Sequence, residues 1–323
     1  MEPRGRAREV VETYVQPLVA GLLALVTLIG LIGPAIKSPT PHDIQIGIVP
    51  ASAQLPLPPG SPFTVTTYDS ESAARAAIDS RDIDGAIVLG PGGPRLIVAQ
   101  AAGDAVAGVI TGAFAAVFQQ QGQTLQVEVV HPFASGDPHG LILFFVVLAV
   151  LVSTLIAQAL VGLSRRGSFA SRLLLVIVFA LIAAPVAMGL ATWIAGDYGS
   201  GFWGATALVA LGSAAVGATV AGAARLLGRA GVALAALVVV LLDLVVSGGP
   251  IGSQLLPDAY RWLAPGMPAG QLYSAIRGAL YFDGAGVVVP IGVLSAWLVG
   301  GVVLLALGSL VRRRPATVDA PNG

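Results

Sequence analysis

Hydrophobic positions along this chain fall into three regimes. A continuous apolar stretch covers residues 15–36, short alternating and helical-period segments fill 37–139, and from residue 140 onward apolar runs return almost without interruption. A helix needs about 20 such residues to cross a hydrocarbon core of about 30 Å. Runs of that kind occur at 15–36, 140–163, 171–195, 202–224, 230–247 and 287–311, which predicts six spans. The fold class expected is an α-helical integral membrane protein, with six transmembrane helices and a small α/β extracytoplasmic domain inserted between helices 1 and 2.

Within that domain the period changes from element to element. Ile44, Ile46 and Ile48 alternate with polar or small residues, the mark of a strand, and the Pro-, Gly- and Ser-rich stretch 50–62 reads as a loop. Phe63–Tyr68 is β-branched and aromatic. Asp69 or Ser70 can then cap a helix with Ala73, Ala74, Ala77 and Ile78 on one face. Strands follow at Gly85–Leu89 and Arg95–Ala99, with a turn at 91–94 between them. A second helix over 104–120 carries Val106, Ile110, Phe114, Val117 and Phe118 on one side, and Leu125–Val130 is a fifth strand.

Composition excludes a single soluble core: 55% of residues are hydrophobic and 11% charged, with mean hydropathy +0.85. The formal net charge of zero hides a strong asymmetry. Arg4, Arg6 and Arg8, then Arg165, Arg166 and Arg172, then Arg225 and Arg229, then Arg312–Arg314 occupy alternate connections. The positive-inside rule therefore places both termini in the cytoplasm. Residues 37–139 hold four cations against nine carboxylates, a formal balance of minus five, so a nucleic-acid partner is not expected. The domains are read as a cytoplasmic amphipathic segment at 1–14, a first helix at 15–36 taken as an uncleaved anchor, and the extracytoplasmic domain at 37–139. A five-helix domain at 140–311 and a cytoplasmic tail at 312–323 follow. The sparing use of lysine with abundant Ala and Gly suggests a GC-rich bacterium, hence the bacterial inner membrane. Cysteine is absent, so no disulfide or thiolate metal site supports the exported domain.

Motifs for chemistry are few. His131, Asp137 and His139 form a potential ligand set, but their spacing does not fit one helical face and Pro132 and Pro138 break the segment. A polar connector at the membrane surface is the preferred reading. The turn 90–93 is Gly-rich but lacks the Lys and Ser/Thr of a phosphate loop and leads into a strand. No hydrolase or metalloprotease signature occurs, so no cofactor, no metal and no enzymatic activity are expected. Any ATP would be bound by another chain.

Polar residues inside apolar spans point instead to a path. Asp243 lies near the outer end of the fifth span and could meet Arg261 or Arg277; Gln158 sits in the second span and fits an interhelical hydrogen bond. Pro185 breaks the backbone ladder of the third. Close packing explains the small-residue-rich fourth span. Trp193, Tyr198, Phe202 and Trp203 fit an interfacial belt, and Trp297 lies near mid-span. The outer segment 248–286 breaks after Ser247 and reads as two short helices, 255–263 and 268–282, lying in the interface or dipping in as a re-entrant pair.

In order along the chain, IGIVP at 46–50, TTYDSESAARAAI at 66–78, DGAIVL at 84–89, VVHPFASGDPHG at 129–140 and LLPDAYRWLAPGMPAGQLYSAIRGALYFDG at 255–284 resemble the phage-infection-protein-like branch of type-2 ABC transporter permeases. The resemblance implies a pair of such subunits, identical or paralogous, enclosing a path that the outer helices help to close. It also implies a cytoplasmic ATP-binding-cassette subunit docking on the N-terminal segment and on the 164–172 loop, through Arg6, Arg8, Arg165, Arg166 and Arg172. The function expected is export of an amphipathic or lipid-like substrate. The alternative is a membrane-anchored binding or scaffold protein of the cell envelope or secretion machinery.

Overall fold

The computed structural model describes residues 14–37, 40–53, 55, 57, 60–163 and 167–311. The expectations for Arg6, Arg8, Arg165, Arg166 and the tail fall outside them. The chain is mostly helical and carries one small mixed sheet.

Helix α1 (Gln16–Lys37) precedes the sheet domain. Strands β1 (Ile44–Val49), β2 (Phe63–Thr67), β3 (Gly85–Gly90), β4 (Gly93–Ala99) and β5 (Gln126–Val130) lie in the order β2-β1-β3-β4-β5. Only the β3–β4 pair is antiparallel, as its tight turn allows. Helix α2 (Glu71–Asp79) links β2 to β3, and α3 (Asp104–Gln120) links β4 to β5. Ser70 caps α2, its side chain accepting the Ala73 N–H. The period of two sorts the strands onto two faces: Ile44, Ile46, Ile87, Leu96 and Val98 meet Val106, Ile110, Phe114 and Phe118 of α3. On the other face Val49, Ala86, Ile97 and Ala99 meet Ala74, Ala77 and Ile78 of α2. Complete burial of Ile110 or Phe114 contributes about 2–3 kcal/mol each by transfer.

The helical half begins with α4 (Leu141–Leu163), α5 (Phe169–Ala195) and α6 (Phe202–Leu227). Next come α7 (Arg229–Ala236), a π-helical turn (Leu237–Leu242) and α8 (Asp243–Val246). Two short helices, α9 (Asp258–Leu263) and α10 (Pro268–Tyr281), precede α11 (Val288–Val311). Helices α4, α5, α6 and α11 are long and apolar enough to cross a membrane. The apolar lengths in the other two predicted spans are shorter, Gly21–Pro34 and Arg229–Val239. For the latter the reason is local: the π turn, Asp243 and the break after Ser247 interrupt the run. Gly248 and Gly249 make that break at φ +70° and +46°, where side chains are strained.

Helix α6 is the hub, touching α4, α5, α10 and α11, and its small residues allow the approach. A Cβ on Gly222 would lie 2.7 Å from the Gly301 carbonyl oxygen, and one on Gly301 only 2.4 Å from the Thr219 nitrogen. Close packing, as expected, is what the small residues serve.

The segment 248–286 packs into the helical half as well as against the sheet domain. Helix α10 buries Leu272, Tyr273, Ala275 and Ile276 in the bundle core. A Cβ on Gly201 would meet the Ala279 carbonyl, and one on Gly212 would meet Leu272, so α10 runs antiparallel to α6. Its leading turn, Ala264–Gly266, is held by Trp297, whose Nε1 donates to the Gly266 carbonyl at 2.8 Å. Trp297 lies nine residues beyond Val288, about 14 Å along the axis of α11 at 1.5 Å per residue.

Candidate functional site: a cleft between the sheet and the inserted helices

The sheet domain and the inserted helices are joined by polar side chains around a cavity of about 460 Å³. Arg81 and Asp84 come from the turn between α2 and β3, Gln254 from the 3-10 turn at Ser253–Leu255, and Gln271, Ser274 and Arg277 from α10. The α2 helix ends because Arg81 adopts φ +64°, which turns its side chain away from the sheet domain's own core. Arg81 Nη1 then donates to the Ser274 carbonyl at 3.2 Å and Nη2 to Ser274 Oγ at 3.2 Å. Its guanidinium carbon sits 5.2 Å from the Phe282 ring centroid. Gly278 leaves room for this, since a Cβ there would lie 3.1 Å from Arg81 Nη1.

Arg277 crosses in the opposite direction. Its Nη1 donates to the carbonyls of Ala101 and Ala102, and the guanidinium lies 4.4 Å from the Tyr273 ring centroid. Asp84 accepts from the Gln45 amide at 2.9 Å and from Gln254 Nε2 at 3.0 Å, which ties β1, β3 and the broken segment together. Burial raises the Asp84 carboxyl, and those hydrogen bonds counter it. Burial, reinforced by the neighbouring Arg277, pulls Arg81 down to about 10 against the attraction of Asp84. The rim is sewn by Arg261, which pairs with Asp43 and Asp258.

The connector 131–140 closes the same side. Asp137 is buried and caps α4, accepting from Ile142 N at 3.0 Å, while Tyr281 and Tyr273 bond the Ala134 amide and the Gly140 carbonyl. His131 pairs with Asp79 and His139 with Asp104, so the three residues of the potential ligand set point to three different partners.

The structure distributes the expected path residues differently from the sequence reading. Arg277 is in the cleft and Arg261 is at its rim. Asp243 meets neither of them. It is fully buried, and its Oδ2 accepts the Ala269 N–H at 2.7 Å at the start of α10. Its oxygen takes the place of a side-chain cap, which Met267 at the N-cap position does not supply, and satisfies a first-turn amide of α10. Gln158 is buried with Oε1 unpartnered among the described residues; one turn away, Thr154 of α4 and Ser213 of α6 share a hydrogen bond at 2.9 Å. Pro185 is exposed on the outer face of α5. Arg172 is buried and donates to the carbonyls of Val161 and Gly162 at the end of α4, so it is engaged inside the chain.

Arg81 and Gln254 lie outside the five motifs quoted above, while Asp84 opens DGAIVL and Ser274 lies within 255–284. The only hint is that Arg81 is a cation in an acidic domain. Comparison with family models, with curated proteins and with solved structures finds no match to this chain.

Proposed function

We propose that the chain is the membrane-spanning permease component of an exporter of the type-2 ABC kind, driven by a separate ATPase subunit and working as a pair of identical or paralogous subunits. In this reading α1 and the broken run Arg229–Val246 complete six spans, and the arginine asymmetry puts the sheet domain outside. Exposed Leu18, Leu22, Leu25, Val26 and Ile29 give α1 an apolar surface suited to lipid or a second subunit. Exposed Trp193, Trp203 and Trp262 suit the outer interface.

The observation that carries the proposal is the penetration of α10 into the bundle while its other side holds the sheet domain. A helix seated on the Asp243 carboxylate at its inner end and on Arg81 at its outer half links the bundle to the exported domain. Any rearrangement of α6 or α11 would then move the cleft. A scaffold, by contrast, needs only an anchor.

The test is complementation. A knockout strain should regain its phenotype with the full chain and not with residues 37–139 tethered by an unrelated single helix. Rescue by the tethered domain alone would replace the exporter reading with the scaffold one.

A further inference from the structure

We infer that the cleft is a binding site for a phosphate-class oxyanion, held between Arg81 and Arg277. The inference deepens the exporter reading by naming a substrate class, and rests on it only for the claim that the anion is cargo.

The first ground is an imbalance of charge. Among the described residues, Arg75 and Arg95 of the sheet domain are bound to Glu71 and Glu128, and Arg261 is bound to Asp43 and Asp258. Arg81 and Arg277 have no carboxylate within ion-pair distance and donate only to carbonyls and to one serine hydroxyl. The lone carboxylate between them, Asp84, turns to Gln254 and to the Gln45 amide instead. Partly buried cations without counter-ions are costly, and an anion from outside would remove that cost.

The second ground is vacancy of donors. Arg277 uses Nη1 alone; its Nε is buried and unpartnered, and its Nη2, which makes no hydrogen bond among the described residues, is the donor left for a ligand. Ser274 Oγ accepts from Arg81, so its own proton is available to donate.

Geometry supplies the third ground. Arg277 lies over the Tyr273 ring and Arg81 over the Phe282 ring, contacts that restrict both guanidinium groups before any ligand arrives, and a restricted fork loses less freedom on binding. A carboxylate can be saturated by one arginine fork. Two guanidinium groups from different elements lining one cavity, with a hydroxyl bonded to one of them, suit an anion with three or more oxygens. A cavity of about 460 Å³ admits such a group together with the moiety it is esterified to. A lipid phosphate headgroup and a soluble phosphate share this chemistry.

The test uses the full chain in phosphatidylcholine nanodiscs without ATP or any ATPase, titrated separately with short-chain phosphatidic acid and with inorganic phosphate. Saturable binding of at least one is expected. Arg81→Gln and Arg277→Gln should each weaken it roughly tenfold, the effect of losing one charge-assisted hydrogen bond. Arg75→Gln, which removes one positive charge away from the cleft, should leave it unchanged. Ser274→Ala and Arg81→Lys, which keep the fold's charges, guard against loss through misfolding and should weaken binding in the same direction. Binding of the lipid alone assigns a headgroup, and binding of both probes assigns the bare phosphate. Absence of binding, or equal affinity in the native chain and the arginine variants, would overturn the inference. Because neither arm involves ATP, a failed export assay with intact binding would count against the exporter reading alone.

Discussion

The Asp243 carboxylate accepts the backbone N–H of Ala269 at 2.7 Å, joining the end of the broken helical run to the first turn of α10. A buried carboxylate in an apolar bundle would ordinarily suggest a passing ion or proton. Here one of its oxygens caps the start of α10, and the lost contact can be measured. Asp243→Ala leaves first-turn amides unpaired in the bundle and should cost about 1–3 kcal/mol in thermal unfolding of the detergent-solubilised chain. Asp243→Asn, which keeps one accepting oxygen, should lose less. Equal stability of Asp243→Ala and native protein would contradict the capping role.

Trp297 makes the second anchor of the inserted helices. Trp297→Phe removes the donor to Gly266 and should raise hydrogen exchange across 264–270, with a stability loss of about 0.5–1.5 kcal/mol. Trp262→Phe, at a side chain 83% exposed, serves as the control and should change neither.

Packing around α6 gives a matched pair. A Cβ on Gly301 would lie within 2.4–2.9 Å of Ala218 and Thr219 atoms, mostly backbone, whereas a Cβ on Gly300 meets nothing within 4 Å. Gly301→Ala should therefore destabilise by about 1–3 kcal/mol through overpacking. Gly300→Ala should be neutral or slightly stabilising in the same melt.

Two carboxylates of the sheet domain should respond to acid with opposite sign. Hydrogen bonding to Arg75, with added attraction from Arg75 and Arg95, holds Glu128 below its ordinary value. Its contribution is therefore complete above the unfolded value near 4.5 and is lost as pH falls through the lowered one. Asp84 is raised by burial, so its charged form opposes folding at neutral pH and that cost declines as pH falls toward the raised value. Glu128→Gln should flatten the acid limb of the stability curve, and Asp84→Asn should be neutral or stabilising at pH 7. Loss of stability in Asp84→Asn at pH 7 alone would mean its negative charge is needed by Arg81 and Arg277.

Much of the fold was legible because it is periodic. Ile44, Ile46 and Ile48, the Ser70 cap, the α3 face from Val106 to Phe118 and the Pro268 start of α10 each announce themselves within one or two turns of chain. The cleft did not, since its bonds span large separations: Arg81 meets Ser274 across 193 residues and Gln254 meets Asp84 across 170. Hydropathy is equally blind to hydrogen-bond register, so Leu237–Leu242 reads as ordinary apolar helix although it forms a π turn. Arg172 shows the same limit from the other side. A basic residue in a short loop reads as a docking contact, and its position in the sequence gives no sign that it also donates to the carbonyls ending α4.

The most direct measurement of the proposed activity is ATP-dependent export from inverted membrane vesicles containing the full chain and any ATP-binding subunit that co-purifies with it. Uptake of a labelled anionic amphiphile should require ATP, and Arg165→Glu with Arg166→Glu should abolish both the uptake and the co-purification. Transport insensitive to ATP, or purified chain with no ATP-binding partner from its native membrane, would contradict the exporter reading.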